Sequence, residues 1–151
     1  MKELPLAWAT YLFCYKPTAL RAIVFYTYIQ LSMPITAHML GQAGEDAALE
    51  FLLAQGYALV HRNYRYCRAE VDLIVRLGQE LLVFAEVKTR TTVRYGYPEE
   101  FVTPRKQELF RRAAEQVQEH LAWTGDIRFD ILAITPSSSG LQVAHFEDAF
   151  Y

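Results

Sequence analysis

The stretch "AEVDLIVRLGQELLVFAEVKTR", Ala69 to Arg90, decides how the chain is read. Two runs of alternating apolar residues flank Gly78 and Gln79, the pattern of two strands joined by a hairpin-like turn. Side chains on a strand alternate between faces. Val71, Leu73 and Val75 then share one face, as do Val83, Ala85 and Val87, and these apolar sets are expected in the core. The opposite faces carry Glu70, Asp72 and Ile74, and Phe84, Glu86 and Lys88, and are expected to point outward. With Gly78 to Glu80 as the loop, Leu77 pairs with Leu81, Asp72 falls opposite Glu86, and Glu70 falls opposite Lys88. This register puts both apolar faces on one side of the sheet, which burial favours.

Two carboxylates facing each other across a strand pair repel. A divalent cation between Asp72 and Glu86 would resolve the repulsion. Mg²⁺ or Mn²⁺ takes oxygen ligands and keeps waters for a substrate phosphate. Two solvated salt bridges, Glu70 with Lys88 and Asp72 with a nearby arginine, account for the same residues without any chemistry. The spacing D-x(13)-E-x-K does not by itself separate the two readings. On the metal reading, Lys88 lies two residues from Glu86 on the same face. A lysine beside carboxylates stays protonated, which suits charge stabilisation or water orientation better than proton abstraction.

The flanking elements complete the order. "GQAGEDAALEFLLAQGY" reads as a helix closed by Gly56. Glu45 shares its apolar face with Ala48, Leu49 and Leu52, so this acid points at the sheet and offers a third carboxylate, directly or through water. Asp46 and Glu50 lie on a more exposed side, where they pair off and solubilise. "YALVHRNYRY" is a first strand. "TPRKQELFRRAAEQVQEHLAW" is a second helix with Thr103 as N-cap, Pro104 at N1, a buried stripe of Leu109, Ala113, Val117 and Leu121, and Gly125 as its stop. "IRFDILAIT" and "LQVAHF" are the last strands. The order α-β-β-β-α-β-β implies an α/β sandwich with a mixed sheet.

A chain of 151 residues, 52% hydrophobic and 21% charged, suits one globular domain with a sizeable core. Two cysteines, Cys14 and Cys67, build no disulfide framework or zinc site, so a reduced, cytoplasmic setting is expected. Net charge is −2, yet His61 to Arg112 holds 11 basic and 7 acidic residues. A basic middle in an acidic chain fits a local phosphate-binding surface and equally fits ordinary variation of surface charge.

The first residues stand apart. "LAWATYLFCYKPTALRAIVFYTYIQLSMP" is apolar and aromatic, but Lys16, Pro17 and Arg21 break it as a membrane span, and no signal-peptide pattern fits. It reads as an interfacial anchor, as a packed helical extension, or as sequence upstream of the true start.

With Glu45, Asp72, Glu86 and Lys88 in view, the chain resembles the YraN family of restriction-endonuclease-like proteins. These small bacterial proteins are similar to archaeal Holliday-junction resolvases and to the PD-(D/E)XK nuclease superfamily. The resemblance covers Gly41 to Ile134 through "GEDAALEFLLAQGY", "RNYR", "AEVDLI", "VFAEVKTR", "YGYPEEFVTPRK" and "RFDILAI", in that order. It implies a restriction-endonuclease-like α-β-β-β-α-β core, a mixed sheet flanked by helices. It implies Glu45, Asp72, Glu86 and Lys88 as catalytic residues, with Asp72, Glu86 and Glu45 holding Mg²⁺ (or Mn²⁺). It also implies a nucleic acid, DNA and in particular branched DNA, as substrate, and a homodimer by analogy with the resolvases. A nuclease fold kept for nucleic-acid binding or assembly without turnover is the rival expectation. Ala69 stands where the family has Gly, a departure that removes no ligand. Family members begin shortly before the Gly-Glu helix. The chain is therefore divided into an extension, residues 1–32, and an endonuclease-like domain, residues 33–151, with Met33 the favoured start.

Arg90, Arg105, Lys106 and Arg65 are the candidate nucleic-acid contacts. Arg105 and Lys106 at a helix N-terminus oppose the macrodipole, which asks for an anion nearby. Arg111 and Arg112 fit phosphate contact and solvated charge alike. Asn63 and Arg65 read as fixing the end of the first strand. Asp130 reads as a buried polar partner, and His61, His120 and His145 as bystanders. Tyr64, Tyr66, Tyr95 and Tyr97 fit either base stacking or the core rim.

Overall fold

The structure is a computed structural model and describes residues 36–90 and 102–150, all within one compact unit. The N-terminal extension and the Gly-x-Pro loop with Tyr95 and Tyr97 lie outside the described residues. Helix α1 (Ala37–Ala54) starts earlier than "GQAGED", because the Thr36 side chain caps it by accepting the Met39 amide at 3.2 Å. Gly56, with φ +89°, closes it in the left-handed conformation that glycine adopts without a Cβ penalty.

Five strands follow: β1 (Ala58–Tyr66), β2 (Ala69–Leu77), β3 (Leu81–Thr89), β4 (Asp126–Ser137) and β5 (Gly140–Phe146). They form one sheet in the order β1-β2-β3-β4-β5. All neighbours are antiparallel except β3 and β4, which run parallel and are joined by a crossover through helix α2 (Pro104–Leu121). This is the mixed sheet flanked by helices expected of the restriction-endonuclease-like core. The β2–β3 register, with Leu77 against Leu81, is the one the apolar pattern demands.

Both faces of the sheet are covered, which corrects the expectation of an outward-facing hairpin face. One cluster joins Ala48 and Leu52 of α1 to Leu73, Val75, Val83, Ala85, Leu132 and Ile134. The other joins Phe110, Ala113, Ala114 and Val117 of α2 to Val71, Ile74, Leu82, Phe84 and Ile131. Glu86 therefore continues the buried α2-side row of Leu82 and Phe84. Val71 belongs to the α2 side with Ile74, not with Leu73 and Val75, so the alternation of β2 changes phase at Asp72. On α2 Ala113 and Val117 are buried as expected, with Phe110 and Ala114 beside them; Leu109 is partly buried against the same cluster, and Leu121, expected in the stripe, is 41% exposed. Ala122, in the left-handed conformation, ends α2. Gly125 instead lies against the Glu80 backbone carbonyl, where a Cβ has no room, and the Asp126 amide bonds that carbonyl at 2.7 Å to start the parallel pair.

Asp130 is fully buried and fully satisfied. Arg128 Nε and Nη2 reach its two oxygens at 2.8 Å each, His145 Nε2 lies 2.7 Å away, and the Asp148 amide donates at 3.1 Å. Burial alone would push this carboxyl up, but the hydrogen bonds from His145, Arg128 and Asp148 outweigh it and hold it below the usual carboxylate range. The network ties β4 to β5 and to the chain end, where Phe150 stacks on Phe129. His145 is thus a structural partner, and Asp130 the buried polar residue expected of it. Asp130→Ala is expected to cost ~3–5 kcal/mol, because it removes the fully buried partner shared by Arg128, His145 and the Asp148 amide; denaturant unfolding measures it, and a cost under ~1 kcal/mol contradicts the account.

Gly44 sets how closely α1 lies on β3. It is buried, and a Cβ at this position would collide with the Thr89 hydroxyl. Exposed helix positions gain ~1 kcal/mol from Gly→Ala, but overpacking costs ~1–3 kcal/mol, so Gly44→Ala is expected to destabilise the fold. Thr89→Ala should recover that loss in the double variant; equal destabilisation by both would show that the contact is not the cause.

Candidate active site

The β2–β3 ladder runs from Leu77↔Leu81 to Leu73↔Ala85 and goes no further. The next positions are Asp72 and Glu86. There the Asp72 carboxylate takes over a backbone role, its Oδ2 accepting the Val87 amide at 2.7 Å. On the other side of β2, pairing with β1 passes from Arg62↔Leu73 to Tyr64↔Val71. Between them Asn63 adopts φ 51°, a left-handed conformation that asparagine tolerates better than most residues. The phase change in β2 and the left-handed residue in β1 coincide, and they open the sheet at Asp72.

A cleft of about 530 Å³ lies at this opening, lined by Gly41, Glu45, Asp72, Glu86, Lys88 and Arg90 among others. Helix α1 brings Glu45, whose Oε2 accepts from Asn63 Nδ2 at 3.2 Å and Arg62 Nη2 at 3.4 Å. Arg62 also holds the exposed Asp46 at 2.6 Å, so Asp46 pairs with an arginine of β1. The Asp46 carboxylate, with Glu45 behind it, keeps the Arg62 guanidinium firmly charged.

Glu86 is the buried centre of the cleft, with 1% of its surface exposed. Its Oε1 takes two ammonium groups, from Lys88 on its own strand and from Lys106 in the first turn of α2. Its Oε2 is buried and, among the described residues, has no hydrogen-bond partner. A buried carboxylate oxygen without a donor costs free energy, and such exceptions call for an explanation. Asp72 carries the electrostatic counterpart. Burial pushes its carboxyl up to about 6, and the Glu86 charge adds to the rise against the Val87 hydrogen bond.

The residues fit a hard divalent cation. The donors are carboxylate oxygens, one of Glu86 is unpartnered among the described residues, and burial and the Glu86 charge push the Asp72 carboxyl up to about 6. Among the described residues, no group of three His, Cys, Asp or Glu side chains is arranged to hold a metal ion as it stands. Two carboxylates suffice for Mg²⁺, which keeps several waters.

The remaining sequence candidates fall elsewhere. Lys106 and Arg105 line a second depression with Arg68, Glu70 and Thr103. Arg65 lies outside the cleft and pairs with Glu70 at 3.3 Å, both well exposed. Glu70 is thus not opposite Lys88: the ladder has already opened, and Lys88 is bound to Glu86. Arg62 and the direct contact of Asn63 with Glu45 escaped the sequence reading. A strand asparagine opposite an acid, a residue suited to positive φ where pairing must break, was the available signal. Lys106 was marked as out of place for the macrodipole, but its partner, the buried Glu86, was not legible.

Fold and cleft together define an α/β protein with a restriction-endonuclease-like core and a carboxylate–lysine site. Residues 44–134 match the model of the uncharacterised protein family UPF0102, and the chain belongs to that family, which is the YraN family of the sequence resemblance. Its relatives include UPF0102 proteins of Christiangramia forsetii, 39% identical over 74% of this chain and 93% of the relative, and of Prosthecochloris aestuarii, 41% identical over 79% and 98%. That of Symbiobacterium thermophilum is 44% identical over 74% and 95%. The solved structure of Pyrococcus furiosus SfsA in complex with Ca²⁺ is similar at 16% identity and a TM-score of 0.32, over 76% of this chain and 64% of that one, too low to carry an argument. Among the described residues, no helix is long and apolar enough to cross a membrane.

The Asp72 shift has a definite sign. Its folded value, about 6, lies above the ordinary 3.8, so the folded protein holds this proton more tightly than the unfolded chain. Stability contributed by the protonated form is present below the ordinary value and lost as pH rises through about 6. Asp72→Asn keeps an acceptor for the Val87 amide and removes the charge. It is expected to be more stable than the native chain by ~2 kcal/mol near pH 7.5, and by under ~0.5 kcal/mol near pH 4, in metal-free urea unfolding. The same difference at both pH values would contradict the burial of that charge.

Proposed function

We propose that this protein is a metal-dependent endonuclease-like protein that binds nucleic acid and hydrolyses phosphodiester bonds in DNA, branched DNA among its substrates. The observation that carries this reading is the convergence of Glu45, Asp72, Glu86 and Lys88 on one cleft, with Glu86 Oε2 left unpartnered. Asp72 and Glu86 would hold Mg²⁺ or Mn²⁺, with Glu45 reaching it directly or through water. Bound there, the cation would supply Lewis acidity toward a phosphate oxygen and a more acidic water.

The chain's own residues do the rest. The Asp72 hydrogen bond to the Val87 amide fixes its carboxylate relative to β3. Asn63 and Arg62 orient Glu45 toward the opening. The Lys88 side chain, 29% exposed, places an ammonium where the negative charge of a pentacovalent phosphate develops. Arg90 on the cleft wall and Arg105 beside the second depression suit the phosphate backbone, which positions a substrate without reading its sequence. A homodimer, as in resolvases, would present two such clefts to a branched substrate.

One observation favours the rival, a nucleic-acid-binding module without turnover. Each carboxylate of the cleft already has a protein partner on one of its oxygens, and Glu86 is matched by two lysines. The test is incubation of the full chain with branched, nicked and single-stranded DNA in Mg²⁺ or Mn²⁺. Cleavage abolished by Asp72→Ala and reduced at least ~100-fold by Lys88→Ala is expected. Cleavage that survives both substitutions places the site elsewhere. DNA binding that needs no metal, with no cleavage of any substrate, favours the rival.

A further inference from the structure

Glu86 is bound in a lopsided way. Among the described residues, one oxygen carries two ammonium groups and the other carries none. The two lysines are not equivalent. Lys88 is fixed by β3 two residues from its partner, whereas Lys106 arrives from the first turn of α2, across the core layer, with its Nζ 5.7 Å from the centre of the Phe110 ring. Its ammonium is also in an unfavourable place for its own helix, since the N-terminal turn repels cations. What holds it there is the Glu86 carboxylate, assisted by the face of the Phe110 ring.

From this we infer that Lys106 is an internal counter-ion that competes with a divalent cation for Glu86 and so sets how tightly the site takes metal. The inference rests on the metal reading of the cleft given above. A buried carboxylate must be neutralised by something. With no cation bound, Lys88 and Lys106 together neutralise Glu86. A divalent ion and two ammonium groups around one carboxylate place too much positive charge in one buried space, so one ammonium must move away as metal binds. Lys106 is the one free to do so. Its side chain is 33% exposed, its helix turn adjoins the depression lined by Arg68, Thr103 and Arg105, and its removal leaves Lys88 in position. Lys106 is therefore a positioning residue that tunes loading of the site.

The experiment is a calorimetric Mn²⁺ titration of the full chain and three variants, with unfolding midpoints confirming that each is folded. Lys106→Met keeps the apolar stem over Phe110 and removes the charge, and should bind Mn²⁺ about tenfold or more tightly than the native chain. Lys106→Gln serves the same purpose if the methionine variant does not fold. Lys106→Arg keeps the charge and should stay near the native affinity. Arg105→Met removes the same charge one residue away, and Arg105 is not an ion partner of Glu86, so its effect should be small. Equal tightening in Lys106→Met and Arg105→Met would reduce the effect to general charge and overturn the inference. Native binding that Lys106→Met leaves unchanged or weakens overturns it while leaving the metal reading intact. Absence of saturable Mn²⁺ binding in every variant overturns both.

Discussion

The hydrogen bond from the Val87 amide to the Asp72 carboxylate is the point on which the site depends. Up to Leu73 and Ala85 the hairpin is an ordinary antiparallel ladder. One residue further a side chain takes the place of a backbone carbonyl, the strands part, and an acid is committed to the opening. Asn63 on the neighbouring strand adopts its left-handed conformation at the same level and reaches Glu45 on α1. Three elements are thereby drawn to one gap. Gly44 allows the helix to lie close enough for the third, because nothing larger fits beside Thr89.

Two buried carboxylates in the same sheet show what is unusual about this gap. Asp130 has donors on both oxygens from Arg128, His145 and the Asp148 amide, and its charge is stabilised. It is a structural acid, tying the last strands together. Glu86 has its positive partners on one oxygen and nothing on the other, and the neighbouring Asp72 carboxyl is pushed toward neutral pH. A carboxylate buried for stability alone is expected to have donors on both oxygens, as Asp130 has. The uneven satisfaction of Glu86 is what distinguishes a group kept for binding from one kept for folding.

Much of this was legible in the chain because hydrophobic alternation constrains strands tightly. The three-residue loop and the Leu77–Leu81 register followed from putting apolar faces together, and so did the meeting of Asp72 and Glu86. The failures on the strands share one cause: a strand pattern is read as strictly period two. The phase change at Asp72 moves Val71 to the α2 side, and no single-strand pattern reveals it. Ile74 and Phe84 are assigned to the outward face because Glu70, Asp72, Glu86 and Lys88 share it, although α2 covers them. Beyond Arg128 and Lys88, two residues away, the partners of Asp130 and Glu86 lie 15 to 20 residues along the chain, so sequence spacing could mark the residues but not these bonds. On α2 the expected stripe holds at Ala113 and Val117, while Phe110 is buried more deeply than Leu109 and Leu121 is exposed.

The central claim is that Asp72 and Glu86 hold charge that a divalent cation relieves. The direct measurement is the denaturant stability of the full chain as a function of Mg²⁺ and Mn²⁺ concentration, beside Asp72→Asn. Above the dissociation constant, stability of the native chain should rise by ~1.4 kcal/mol for each tenfold increase in cation, while Asp72→Asn shows little or no rise. A flat response in the native chain, or the same slope in Asp72→Asn, would contradict the claim.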